Sequence, residues 1–124
     1  MKPRILIVGD EPALTRMTAL ILERTGRYEV RVENLARNVV NSAREFQPQL
    51  VLLDVIMPGL LDSDVARLLQ EDAELKSIRI AFMTAIASKE EQLRLDGRIG
   101  GYPFIAKPVN AEELLRFIDT VLAA

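Results

Sequence analysis

Leu50-Val51-Leu52-Leu53-Asp54-Val55-Ile56-Met57-Pro58-Gly59 runs four apolar residues into a carboxylate and then into a Pro-Gly turn. A short apolar run bounded by turn signals reads as a strand buried on both faces. A carboxylate at the end of such a strand sits where open α/β sheets hold their ligands. Other runs along the chain close in the same way. Ile5 to Val8 ends at Gly9-Asp10-Glu11, Ile78 to Met83 ends at Thr84, and Phe104-Ile105-Ala106 ends at Lys107-Pro108. If these strands lie parallel, acids, a hydroxyl and an amine converge on one edge of a sheet. Such an edge suits a divalent cation and a phosphoryl group.

Helical patterns fill the gaps between the strands. Pro12 suits the first turn of a helix in which Leu14, Met17, Thr18, Ile21 and Leu22 recur at helical spacing, with Gly26 as its stop. Tyr28 to Val32 alternates as a second strand, and Leu35 to Phe46 reads as a second helix capped by Asn34. Leu61 to Leu69 reads as a third helix. Ser88 to about Leu95 reads as a polar fourth one, running into the glycine-dense Asp96 to Gly101. Asn110 caps a fifth helix with Leu114, Leu115, Ile118, Val121 and Leu122 toward the core. This alternation predicts a doubly wound α/β fold, flavodoxin-like, with a parallel sheet in strand order 2-1-3-4-5. That order sets Asp10 beside Asp54.

Composition narrows the chemistry. At 124 residues and 49% apolar, the chain reads as one folded domain over residues 1–124. It has no Cys and no His. Thiolate or imidazole zinc sites, Ser-His-Asp triads and Cys nucleophiles are therefore excluded within it. A metal would need oxygen ligands, which favours magnesium, with manganese as the alternative. The net charge of −2 and scattered basic residues argue against direct nucleic acid binding. No run has transmembrane length or the form of a signal peptide, so a cytoplasmic domain that does not engage membranes is expected.

With these residues in view, the chain resembles the receiver domain of bacterial two-component response regulators over almost its whole length. The resemblance rests on Ile5 to Pro12, on Asp54 with Met57-Pro58-Gly59, on Thr84-Ala85, and on Phe104 ahead of Lys107-Pro108. It implies a signalling phosphoacceptor, not a classical enzyme, though one able to assist its own phosphorylation and dephosphorylation. Asp54 would accept the phosphoryl group from a sensor histidine kinase or phosphotransfer protein. Asp10, Asp54 and the backbone carbonyl of Ile56 would bind magnesium, with Glu11 a further candidate. Lys107 and Thr84 would hold the phosphoryl oxygens. Thr84 and Phe104 would switch a face made by the fourth helix, fifth strand and fifth helix, to which an output protein binds and through which weak homodimers form.

Departures from the family pattern matter as much. Gly9 stands where the family has the first of two adjacent acids, Asp10 being the second, and the loss of that first acid should weaken the metal site. Ile56 and Ile86 would flank the phosphoryl group, hinder attacking water and lengthen the life of the phosphorylated state. Each residue also has a plainer reading. Asp54 could cap a turn, Asp10 could cap the first helix, Thr84 could bond to backbone, Lys107 could be solvated, Phe104 could be core and Gly9 a tight-turn residue. A degenerate, phosphorylation-independent interaction module is the alternative function. A nucleotide- or flavin-binding flavodoxin relative is a third, disfavoured because two acids follow the first strand where a phosphate cradle would lie. A haloacid-type phosphatase lacks its second acid, since that position is Ile56.

Overall fold

The computed structural model describes residues 2–55, 60–84, 90, 98–99, 101–107 and 109–123. Ile56 to Gly59, Ala85, Ile86, Pro108 and the predicted fourth helix apart from Glu90 lie outside the described residues.

Apolar runs become strands where expected. β1 (Arg4–Val8), β2 (Glu29–Glu33), β3 (Leu50–Val55), β4 (Arg79–Thr84) and a strand at Tyr102–Ala106 form a parallel sheet. Counting only these, the order is the predicted 2-1-3-4-5, the flavodoxin-like arrangement. One element was not foreseen. A two-residue strand, β5 (Arg98–Ile99), pairs antiparallel with Tyr102–Ala106, here β6, and extends the edge of the sheet. Gly101 adopts φ +88° between the two strands, a conformation that side chains other than glycine's rarely tolerate.

Period-two alternation divides the core between the two faces of the sheet. Leu6, Val8, Val51, Leu53, Phe82 and Phe104 pack with α2 (Val39–Phe46) and α3 (Leu60–Glu71). Ile5, Ile7, Leu50, Leu52, Met83 and Ile105 pack with α1 (Pro12–Glu23) and the C-terminal helix (Ala111–Ala123). The C-terminal helix buries Leu114, Ile118 and Val121, with Leu115 and Leu122 half-buried beside them. Its predicted cap is present: the Glu113 N–H donates to Asn110 Oδ1 at 2.8 Å.

Two local expectations are corrected. The second helix does not begin at an Asn34 cap. A 3-10 turn spans Ala36–Asn38 before α2, while the Asn34 amide donates to Gly9 O at 2.8 Å and Thr15 Oγ1 at 2.9 Å. Its donor finds better-placed partners across the chain. In α1 the buried face is Thr15, Thr18, Ala19 and Leu22, whereas Leu14 is 38% and Met17 61% exposed. Thr18 and Leu22 of the set read from spacing are thus buried, while Leu14 and Met17 turn outward and Thr15, its hydroxyl satisfied on a helix carbonyl, joins the buried face.

Candidate functional site

Sheet register builds the site. Val8 pairs with Leu53, which sets Gly9 and Asp10 beside Asp54 at the strand ends. Asp54 pairs with Met83 and Val55 with Thr84, so Thr84 stands one step beyond Asp54 on the neighbouring strand. Thr84 in turn pairs with Ala106, and the Lys107 N–H donates to Thr84 O at 2.7 Å. That bond fixes the chain just where Lys107 leaves the sheet. The structure thus brings Asp10, Asp54, Thr84 and Lys107 to one edge. Ile56 lies outside the described residues.

Asp54 is buried, and one of its oxygens, Oδ1, is ion-paired with Lys107 Nζ. Its other oxygen, Oδ2, is buried without a hydrogen-bond partner among the described residues. A buried carboxylate oxygen left so is costly unless a cation or donor meets it. A narrow cleft of about 10 Å³ joins Gly9, Asp10, Glu11, Leu14, Thr15, Asp54 and Lys107, room for a single water-sized species. Asp10 and Glu11 are exposed, and the Glu11 side chain makes no capping bond to α1. Among the described residues no group of three acids forms a ready-made metal cage. The donor set is a small one, carboxylates from different strands with open positions left over. Such a set fits magnesium, which keeps several waters and binds through one or two carboxylates.

Thr84 and Phe104 share the opposite face of the sheet from Asp54. Phe104 pairs with Phe82, two residues before Thr84, and is fully buried. Beside Asp54 and Lys107, a groove of about 500 Å³ opens between α1 and the C-terminal helix, lined by Leu14, Met17, Ile21, Val109 and Leu114 among others. Sequence reading missed Thr15 and Asn34, whose side chains meet over Gly9. Only the structure joins them, since no motif links the end of β2 to the first turn of α1. No helix among the described residues is long and apolar enough to cross a membrane.

A doubly wound sheet with acids, a hydroxyl and an amine at its carboxyl edge defines a class, the receiver domains of two-component signalling. A model of the response regulator receiver domain matches residues 5–119, and the chain belongs to that family. It is 35% identical to the protein PilH of Pseudomonas aeruginosa over 97% of this chain and 98% of PilH. It is 32% identical to the phosphate regulon regulator PhoB of Klebsiella pneumoniae over 98% of this chain, which spans about half (52%) of that relative. The solved receiver domain of the sensor histidine kinase PA1611 from Pseudomonas aeruginosa, which holds magnesium in its active site cleft, shares the fold. Its TM-score is 0.78 at 22% identity, covering 100% of each chain. Receiver domains are signalling phosphoacceptors that typically bind magnesium and work with histidine kinases or phosphotransfer proteins and with output proteins.

Proposed function

We propose that residues 1–124 act as one receiver unit that accepts a phosphoryl group on Asp54. The observation that carries this reading is Asp54 itself, buried at the end of β3 with Lys107 on one oxygen and the other open among the described residues. The Asp54 carboxylate attacks phosphorus, forming the O–P bond as the bond from phosphorus to the donor's imidazole nitrogen breaks. The chain has no His, so a phosphohistidine donor lies outside these residues. Lys107 offsets the charge of the phosphoryl oxygens, and Thr84 donates its hydroxyl to one of them. Asp10, Asp54 and the carbonyl of Ile56 would hold magnesium, with Glu11 as a reserve ligand. When bound, the ion would supply charge compensation at the phosphoryl oxygens. The groove beside Asp54 gives a donor protein an apolar surface next to the acceptor.

Output follows from Thr84 and Phe104, which lie on the same face of neighbouring strands. A shift of Thr84 toward the phosphoryl group repacks Phe104 and changes the surface that an output protein, or a second copy, engages. Gly9 favours a second reading, the phosphorylation-independent module. Intact mass after incubation with acetyl phosphate, with and without magnesium, separates the two. A magnesium-dependent gain of one phosphoryl group, absent in Asp54→Asn, is expected. The family resemblance puts Ile56 and Ile86 at the positions that flank the acyl phosphate, and on that reading the mass should decay slowly. No gain from either acetyl phosphate or a phosphorylated donor protein, in a folded sample, would reject phosphorylation on Asp54.

A further inference from the structure

Gly9 is not a glycine for the sake of its backbone. Among the described glycines only Gly26 and Gly101 lie in the left-handed region, so the conformation at position 9 is open to other residues. What forbids a side chain is space. A Cβ placed on Gly9 would stand 2.8 Å from Thr15 Cγ2 and 2.9 Å from the Asp54 carbonyl oxygen. Both approaches are closer than carbon tolerates, and close-packed interiors yield little. The carbonyl belongs to β3 and cannot retreat. Thr15 is fully buried, and its hydroxyl donates to Pro12 O at 3.1 Å while accepting from Asn34 Nδ2 at 2.9 Å. The same amide donates to Gly9 O at 2.8 Å. With its hydroxyl so held, the β-branched side chain has one rotamer left, and its methyl faces Gly9.

We propose that Thr15, held by Asn34, is a positioning residue that closes position 9 to any side chain. The divalent-cation site is thereby confined to carboxylates arriving from Asp10, Glu11 and Asp54. This role deepens the receiver reading and rests on it where it concerns the metal. It reverses the effect expected of adding an acid. Gly9→Asp brings a carboxylate to the cleft, yet wedges the end of β1 away from Asp54. Thr15→Ser deletes the offending methyl and keeps the hydroxyl, which lets a Cβ at position 9 back away from the carbonyl by a few tenths of an ångström.

The test combines metal-free thermal denaturation with magnesium titration by calorimetry. Without metal, Gly9→Ala should lower the Tm by about 4 °C or more, and Thr15→Ser in the same chain should restore most of the loss. With metal, Gly9→Asp alone should bind magnesium no more tightly than the parent, and Gly9→Asp with Thr15→Ser roughly tenfold more tightly. A Gly9→Ala protein of unchanged Tm overturns the steric pair. So does a fully stable Gly9→Asp protein that binds magnesium more tightly on its own. If no variant binds magnesium, the double one included, the metal reading of the site falls, while the alanine comparison still decides whether Thr15 closes position 9.

Discussion

Asp54 and Lys107 are partners whose removal should have opposite effects on stability. The Asp54 side chain is 4% exposed and that of Lys107 23%, so only the lysine can turn to water when its partner is lost. Burying a carboxylate with one oxygen unmatched costs stability that function requires. Asp54→Asn should therefore raise unfolding stability by about 1 kcal/mol while abolishing phosphorylation. Lys107→Met should lower it by about 2 kcal/mol, because the buried charge then has no counterion. Urea denaturation of both variants checks the pair, and an Asn variant less stable than the parent would contradict this account. Asp10, Asp54, Thr84 and Lys107 were legible from sequence because each ends an apolar run, and parallel pairing of strands brings run ends together. Gly9 was legible only as a departure. The reason for it, a methyl on Thr15 oriented by Asn34, arises from contacts between elements that no local pattern encodes.

Elements divide along the same line. The parallel strands follow from apolar runs that leave no other way to be buried, and the C-terminal helix from a stripe with Asn110 ahead of it. The inward face of α1 followed only in part: Thr18 and Leu22 are buried as read, but Thr15, which bonds back to its own helix, is buried with them while Leu14 and Met17 turn outward. β5 did not follow either, because a two-residue strand carries no periodicity to detect. Asn110 matters beyond its own helix, since it follows Lys107 by three positions and fixes the chain on leaving the site. Replacing it with Ala should cost about 1 kcal/mol through loss of the bond to the Glu113 N–H. Chemical denaturation gives that value, and Asn110→Asp or Asn110→Ser, which keep an acceptor, should restore most of it. An alanine variant of parental stability would show that the cap is not used in solution.

Across the whole molecule, a clasp ties the turn before β2 to the C-terminal helix. The Arg27 guanidinium donates to Asp119 at 3.0 and 2.8 Å, and the Tyr28 hydroxyl donates to Asp119 Oδ1 at 2.6 Å. The guanidinium also lies 5.3 Å from the centre of the Tyr28 ring. Burial first, and then the bond to Asp119, push the Tyr28 hydroxyl up to about 12 from its ordinary 10.0. The Tyr28 bond, followed by that of Arg27, holds the Asp119 carboxyl below its usual range. The signs differ. Tyr28 keeps its proton longer folded than unfolded, so its contribution is whole below pH 10 and is lost as the pH climbs toward about 12. Asp119 contributes above the ordinary carboxyl range and loses that contribution as the pH falls through its lowered value. Asp119 is half-exposed, with its side chain 46% accessible, so solvent screening keeps the effect modest. Tyr28→Phe should cost about 1 kcal/mol near neutral pH, and the deficit should shrink as the pH rises past about 10, because the unfolded parent then gives up its Tyr28 proton while the folded parent still holds it. Urea unfolding of parent and variant from neutral to strongly alkaline pH measures that convergence. A deficit that stays constant through the alkaline range would mean that the folded chain holds the Tyr28 proton no more tightly than the unfolded one, and would remove the Tyr28–Asp119 bond from the account of the clasp.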